Sequence, residues 1–423
     1  MQQLASENAP KSTLIVPHFI YGGTILFVVI FLIALFPDSL TQHFFNQKLL
    51  AITHLLVLGF ITIIIFGALY QLIPVILETK LFSEKLGYLT FSLIALGSVF
   101  LSISFWNYWL DQFFHFAATF VVLGVVLFTI NVLITSVRSI KKCIERKFIV
   151  TASLWLLATV IIGFILGLNL RSSFISTPHL ELLKLHAHAG IVGWFMLLII
   201  GVASKLLPMF MVSHNLNSKK LSYSYYLINV GLIFIFFTLF FQLNIATLIS
   251  GLIIVTGVLF FISFIFEAYK KRIKKHLDVG MKQTAISFII LLLPLLLVNV
   301  LSFFKVYDIT SLSSVAVYGS SLFLGFISSL ILGQTYKTLP FIIWLKVYKK
   351  RIGKEKIPFP KDLYSEKIAS LQLWCFTGGF MILLLGVLIQ QNIIVTSGSV
   401  VMSIAVLFYN LNILKIVFHQ SKK

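Results

Sequence analysis

Three stretches of this chain align with one another without a gap, and that self-similarity limits the fold more than any other feature. In THLLVLGFITIIIFGALYQLIP, the residues His54, Gly59, Gly67 and Pro74 keep the spacing of His188, Gly193, Gly201 and Pro208 in LHAHAGIVGWFMLLIIGVASKLLP. The offset is 134 residues at all four positions. A third copy, GSSLFLGFISSLILGQTYKTLP, sets Gly325, Gly333 and Pro340 another 132 residues on, with Ser320 where the histidine falls. A fixed period of this kind means one structural unit used several times.

Each copy is apolar over more than the roughly 18 residues that a membrane-crossing helix needs. Such runs occur near 19–36, 49–77, 85–106 and 112–137, then near 149–170, 182–211, 221–242 and 245–270. Four more lie near 282–304, 313–345, 367–390 and 393–418. The expected fold is therefore an all-α membrane protein of twelve transmembrane helices in three pseudo-symmetric four-helix units, about 19–137, 149–270 and 282–418. These units make one integral membrane domain over residues 1–423. A transporter built from two six-helix halves would instead repeat at half the chain length. Composition agrees: 59% hydrophobic and 11% charged residues exclude a soluble domain.

The charges orient the chain. Of 33 Lys and Arg, Lys48, Arg171, Lys184 and Lys305 fall on one side under this reading and the other 29 on the opposite side or its adjoining helix ends. The basic side is expected to be cytoplasmic, with both termini inside. Its main clusters are RSIKKCIERK, YKKRIKKH and LKVYKKRIGKEK. The net charge of +20 does not imply a nucleic-acid partner, because these clusters abut spans, where anionic lipid and topology account for them. The first 18 residues carry one Lys and no cleavage site, so the first helix is expected to stay in a prokaryotic-type plasma membrane as part of a multi-pass protein. Cys143 and Cys375 show neither paired spacing nor a CxxCH haem attachment.

Six of the ten histidines, His43, His54, His115, His179, His186 and His188, fall toward the outer side. The other four, His18, His214, His276 and His419, fall on the cytoplasmic side. An imidazole within a span is costly unless it has a partner or a metal. A backbone carbonyl of a neighbouring helix can satisfy it. At His54 and His188 the shared register favours ligation, because two facing imidazoles are what a six-coordinate haem iron needs. With no covalent attachment motif, such a haem would be b-type. His186 points about 200° from His188 on an α-helix, toward a neighbouring site. A second haem there, or a copper shared with His115 or His179, are the alternatives. Arg171, the one outer arginine, suits a haem propionate through its planar fork, or else a lipid headgroup.

Other positions leave more than one reading open. The repeated glycines either pack helices closely or make room for a flat macrocycle. The prolines are expected to end or kink their helices. Lys205 and Lys337, at one repeat position shared with Gln71, are expected to snorkel to the inner surface. Trp106 and Trp109 read as interfacial belt residues.

The spans, the three units and the outer-end histidines on helices two and six together resemble the haem-copper oxidase subunit I superfamily, including its NnrS-like relatives. LHAHAGIVGWFMLLIIGVASKLLP resembles that family's haem-ligating HxH helix. The resemblance implies that one histidine of this pair holds a low-spin haem together with His54, and that the other holds the catalytic haem. It also implies an electron-donor protein or quinol as partner, besides membrane lipid.

The chain departs from the pattern in two places. The HxH lies on helix six rather than ten, where Ser320 stands, and helix seven opens with Tyr223, Ser224, Tyr225 and Tyr226 in place of the copper histidines. The expected function is therefore haem-dependent electron transfer, or binding of a gas such as nitric oxide, rather than standard oxygen reduction. Two other classes remain open: a transporter or channel for a metal, haem or small solute, and a cofactor-free assembly or regulatory subunit.

Overall fold

The computed structural model describes residues 8–241, 243–303, 312–351, 353, 354 and 356–420. Lys305, one of the four outer basic residues, lies outside them. The chain runs through α1 (Ser12–Leu35), α2 (Gln47–Leu77), α3 (Glu84–Asn107) and α4 (Gln112–Arg138). It continues through α5 (Ile144–Ser172), α6 (His179–Met211), α7 (Lys219–Phe240) and α8 (Asn244–Lys270). Next come α9 (Val279–Phe303) and α10, which joins Leu312–Ser320, Ser321–Ser328 and Ser329–Tyr348. The last two are α11 (Glu366–Leu388) and α12 (Asn392–Val417). Among the described residues, eleven helices are long and apolar enough to cross a membrane. Of α9, the part Val279–Leu292 qualifies as a shorter apolar helix.

The repeat reappears as backbone geometry. α2, α6 and α10 each change from α- to π-helix for eight residues, at Leu55–Thr62, Ala189–Met196 and Ser321–Ser328. These starts carry the same 134- and 132-residue offsets as the sequence copies, and each follows directly on His54, His188 or Ser320. π-helix is rare and closes i→i+5 hydrogen bonds. Its presence in the copy with Ser320 makes it a property of the repeat rather than of the histidine. The wider turn also invalidates an α-helical count of angles from the histidine to the glycines, so the contacts must decide what the glycines face.

Those contacts favour close packing. A Cβ built on Gly193 would lie 2.6 Å from Trp155 of α5, and one on Gly201 would lie 2.5 Å from Phe148. On α2, a Cβ at Gly67 would lie 2.6 Å from His18 of α1, and one at Gly59 would lie 3.1 Å from Ile25. On α10, Gly333 faces the Gly280 carbonyl of α9 at 2.7 Å, and Gly325 faces Phe380 and Ile290. In every copy the glycines let the repeat helix approach the helix that precedes it in the chain. Among the eleven spans, these three are also the most enclosed: 67%, 67% and 78% of their apolar windows are buried in α2, α6 and α10, against at most 50% in the other eight.

The prolines neither end these helices nor interrupt them in sequence. α2 and α6 continue three residues beyond Pro74 and Pro208, to Leu77 and Met211, and the last segment of α10 runs beyond Pro340 to Tyr348. α6 stops instead at Val212, whose φ of 53° is left-handed. α1 begins at Ser12, ahead of the expected 19, so His18 lies inside the helix and is fully buried.

By contact density the described chain forms two compact units. One contains Gln71–Leu93 and Leu110–His276, and hence α4 to α8. Within it α4 and α5 meet where Phe114 fills the space over Gly167, and the Thr129 hydroxyl donates to the Ser153 carbonyl at 3.3 Å. The other contains Pro10–Tyr70, Ile94–Trp109 and Leu277–Lys423. There the Asn410 amide donates to the Gly23 carbonyl at 3.0 Å, tying α12 to α1, and α11 meets α12 backbone to backbone at Gly379, Gly386 and Gly398.

Candidate functional site

His54 and His188 close the first α-helical segments of α2 and α6, immediately before the π-helical turns. Their rings are held identically: His54 Nδ1 lies 2.7 Å from the Leu50 carbonyl and His188 Nδ1 lies 2.7 Å from the Lys184 carbonyl. A carbonyl only accepts, so Nδ1 carries the proton in both rings. The basic lone pair is then on Nε2, at the far end of the imidazole. A proton on one ring nitrogen, fixed by a backbone carbonyl, is the arrangement that orients a metal-ligating histidine. Beside His54 stands the Phe105 ring, with centroids 4.8 Å apart. One turn before His188, the Lys184 ammonium is paired with Glu181 at 2.8 Å, which offsets its charge near the ring.

His186 is held differently. Its Nδ1 lies 3.0 Å from the Thr159 carbonyl of α5, across the helix pair rather than along its own helix. The ring rests on Gly163, where a Cβ would come within 2.7 Å of Cε1. Gly163 is thus a slot for an imidazole, and the proton again belongs on Nδ1. Arg171 is exposed at the end of α5, eight residues beyond Gly163 and so about 80° round the helix from it.

The remaining histidines separate by tautomer and place. His43 accepts the Phe45 N–H on Nδ1 at 3.0 Å, which occupies the lone pair that a metal would need. His115 lies in the first turn of α4, next to the Phe114 that covers Gly167. His179 opens α6. His18 donates from Nδ1 to the Leu14 carbonyl at 2.9 Å and meets Tyr70 edge-on at 5.7 Å. No described group of three or more His, Cys, Asp or Glu side chains comes together as a metal site. A haem asks less of the protein, since its macrocycle supplies the four equatorial ligands and the chain only the axial ones.

Several features of the site were not anticipated from the sequence. On α7, where the oxidase pattern has histidines, Asn229 accepts a hydrogen bond from Trp155 Nε1 at 3.3 Å, and the Tyr225 and Thr151 hydroxyls are 2.8 Å apart. α7 is therefore bonded to α5, the helix that carries the His186 slot. The Lys337 ammonium contacts the carboxylate of Asp278, the residue before α9, with the two side chains only 13% and 23% exposed. No hydropathy signal marks either contact, because each depends on which helices become neighbours.

Comparison with known proteins decides the family. The sequence matches the family described as Cytochrome C and Quinol oxidase polypeptide I over residues 8–242, more than half of the chain. The chain belongs to that family. The matched region holds His43, His54, His115, Arg171, His179, His186 and His188, and it ends two residues after α7; the copy with Ser320 lies beyond it. The chain is therefore a membrane protein like haem-copper oxidase subunit I. No curated protein matches the chain.

Proposed function

We propose that the chain is a haem-binding redox or gas-binding protein of the plasma membrane, with His54 and His188 as axial ligands of a non-covalent, b-type haem. The observation that carries this is their equivalence. Both stand at the last α-helical residue before a π-turn, in one repeat register, with Nδ1 bound to the carbonyl four residues back. Membership in the oxidase family and the register support their sharing one iron. Bound haem supplies a one-electron couple at a potential set by its ligands and surroundings.

The chain's own groups do the positioning. The Leu50 and Lys184 carbonyls fix each ring's tautomer and raise the basicity of Nε2. Arg171 neutralises a propionate, the role that its bidentate fork suits. His186, seated in the Gly163 slot, is the ligand for a second haem, or for a copper shared with His115 or His179. The twelve-span arrangement in three units, with both termini cytoplasmic and the ligands toward the outer face, completes the proposal, as does an electron-donor protein or quinol as partner. Because α7 offers Tyr225 and Asn229 rather than imidazoles, the copper of an oxygen-reducing centre has no histidine pair on that helix. Electron transfer or nitric oxide binding is the function that this donor set serves.

The test is the absorption spectrum of the purified protein with a pyridine haemochrome assay. A Soret band with low-spin α and β bands and at least one non-covalent haem per chain is expected. A colourless protein that does not take up haem on reconstitution would refute the proposal.

A further inference from the structure

The repeat register shows where the third copy differs from the other two. Ile343 of α10 is the equivalent of Leu77 and Met211, the last residues of α2 and α6. α10 continues past this point, over residues 344–348 and a 3₁₀ turn at Lys349–Arg351. The returning chain then folds back onto α10. Trp344 Nε1 donates to the Pro358 carbonyl at 2.6 Å, and the Tyr364 ring meets that of Tyr336 at 4.9 Å. Trp344 and Tyr336 are eight residues apart, about 12 Å along the helix. Residues 358–364 therefore run from the base of the extension toward the middle of the span. Next to the first of these contacts stands Phe359, which is 68% exposed.

The backbone that carries this ring is fixed. The Phe359 N–H donates to Asp362 Oδ2 at 2.8 Å, the Asp362 N–H donates to the Phe359 carbonyl at 2.9 Å, and the Pro360 ring locks the next φ. Leu363 and Tyr364, both buried, hold the turn from its other end. A phenyl ring held outward on such a turn gains its burial from something outside the chain. At the level of Trp344, one residue past the position where α2 and α6 end, the surroundings are those of the membrane–water boundary, where tryptophan is enriched. The charge around the ring selects the lipid. Residues 349–361 carry Lys349, Lys350, Arg351, Lys354, Lys356 and Lys361 against Glu355. An apolar ring between cationic side chains suits a segment that lies in the interface and binds anionic headgroups. We infer that residues 354–363 are an interfacial anchor for anionic phospholipid, with the Phe359 ring at the boundary of headgroups and acyl chains and Lys356 and Lys361 on the phosphates.

Lipid quenching tests this in the full chain, with Cys143 and Cys375 replaced by Ser and Phe359→Cys labelled with bimane. Phe359 is exposed, so the label displaces no core contact. The purified protein is placed in vesicles of equal parts phosphatidylcholine and phosphatidylglycerol, with one lipid or the other brominated on its acyl chains. Both brominated lipids are expected to quench the bimane, and at least about twofold more strongly than they quench a label at Lys354→Cys, in the charged part of the loop. Brominated phosphatidylglycerol should quench more than brominated phosphatidylcholine. Replacing Lys356 and Lys361 by Gln should cut that preference by up to about fivefold for each lysine. A label at 359 that neither lipid quenches would overturn the anchor, whether acrylamide reaches it from water or a second copy of the chain shields it. Equal quenching by the two lipids, unchanged in the Lys356→Gln, Lys361→Gln variant, would overturn the choice of anionic headgroups.

Discussion

If the repeated glycines exist to let paired helices touch, adding one methyl at Gly193 must cost stability, although alanine is the better helix former. The new Cβ would lie 2.6 Å from Trp155 Cγ, 2.8 Å from its Cβ and 2.9 Å from Cδ2, against an ordinary contact of 3.4 Å or more. The indole or the α5 backbone must therefore yield by about 0.8 Å. Trp155 has little freedom to do so, since Nε1 is bonded to Asn229 and the ring packs on Phe236 with centroids 5.4 Å apart. Overpacking of this kind costs about 1–3 kcal/mol. Removing a helical glycine returns about 0.5–1 kcal/mol. Gly193→Ala should thus lose up to about 2.5 kcal/mol net. Gly251→Ala is the internal control: its Cβ meets nothing within 4 Å, so the variant should gain about 0.5–1 kcal/mol. Tryptophan-fluorescence melts of both variants in one lipid or detergent condition read the difference. A Gly193→Ala protein as stable as Gly251→Ala would refute the packing account of the repeat.

Three further predictions concern the site and the surface. Gly163→Ala should expel the His186 ring from its slot and break the bond to the Thr159 carbonyl, raising the diethylpyrocarbonate reactivity of His186 several-fold by mass spectrometry while His54 and His188 react as in the wild type. A cysteine placed in the basic segment 349–356 should escape impermeant thiol reagents in intact cells; its labelling there would invert the proposed orientation. Glu78, outside the spans, has its carboxyl held below the ordinary 4.5 by the hydrogen bond and charge of Lys141. A depressed carboxyl stabilises above its unfolded pKa and loses that contribution as pH falls through its lower folded-state pKa, so a wild-type advantage in melting temperature over Glu78→Gln should be present at pH 6 and shrink progressively as pH falls below 4.5.

The sequence showed the repeat at full strength, because the glycines that define it face the preceding helix in every copy and so share one spacing. It also singled out His54, His186 and His188 as candidates, since a polar ring in an apolar run stands out whatever surrounds it. The π-turns were not legible: no residue type signals them, and the α-helical angles drawn from His54 and His188 to their glycines fail across them. The partners of His186, Lys337 and Asn229 were hidden for a different reason. Thr159, Asp278 and Trp155 each sit on another helix, at separations that local periodicity does not reach. The start of α1 was set too late because a hydropathy window begins only after the polar start, whereas α1 begins at Ser12 and buries His18 in its second turn.

The central claim is that His54 and His188 are axial haem ligands, and the optical and electron paramagnetic resonance spectra of the purified His54→Ala and His188→Ala variants test it most directly. Each substitution is expected to abolish the six-coordinate low-spin signature, whereas His214→Ala and His276→Ala leave it intact. A wild-type low-spin spectrum at full haem occupancy in both His54→Ala and His188→Ala would contradict the assignment and reduce the shared register to a packing motif.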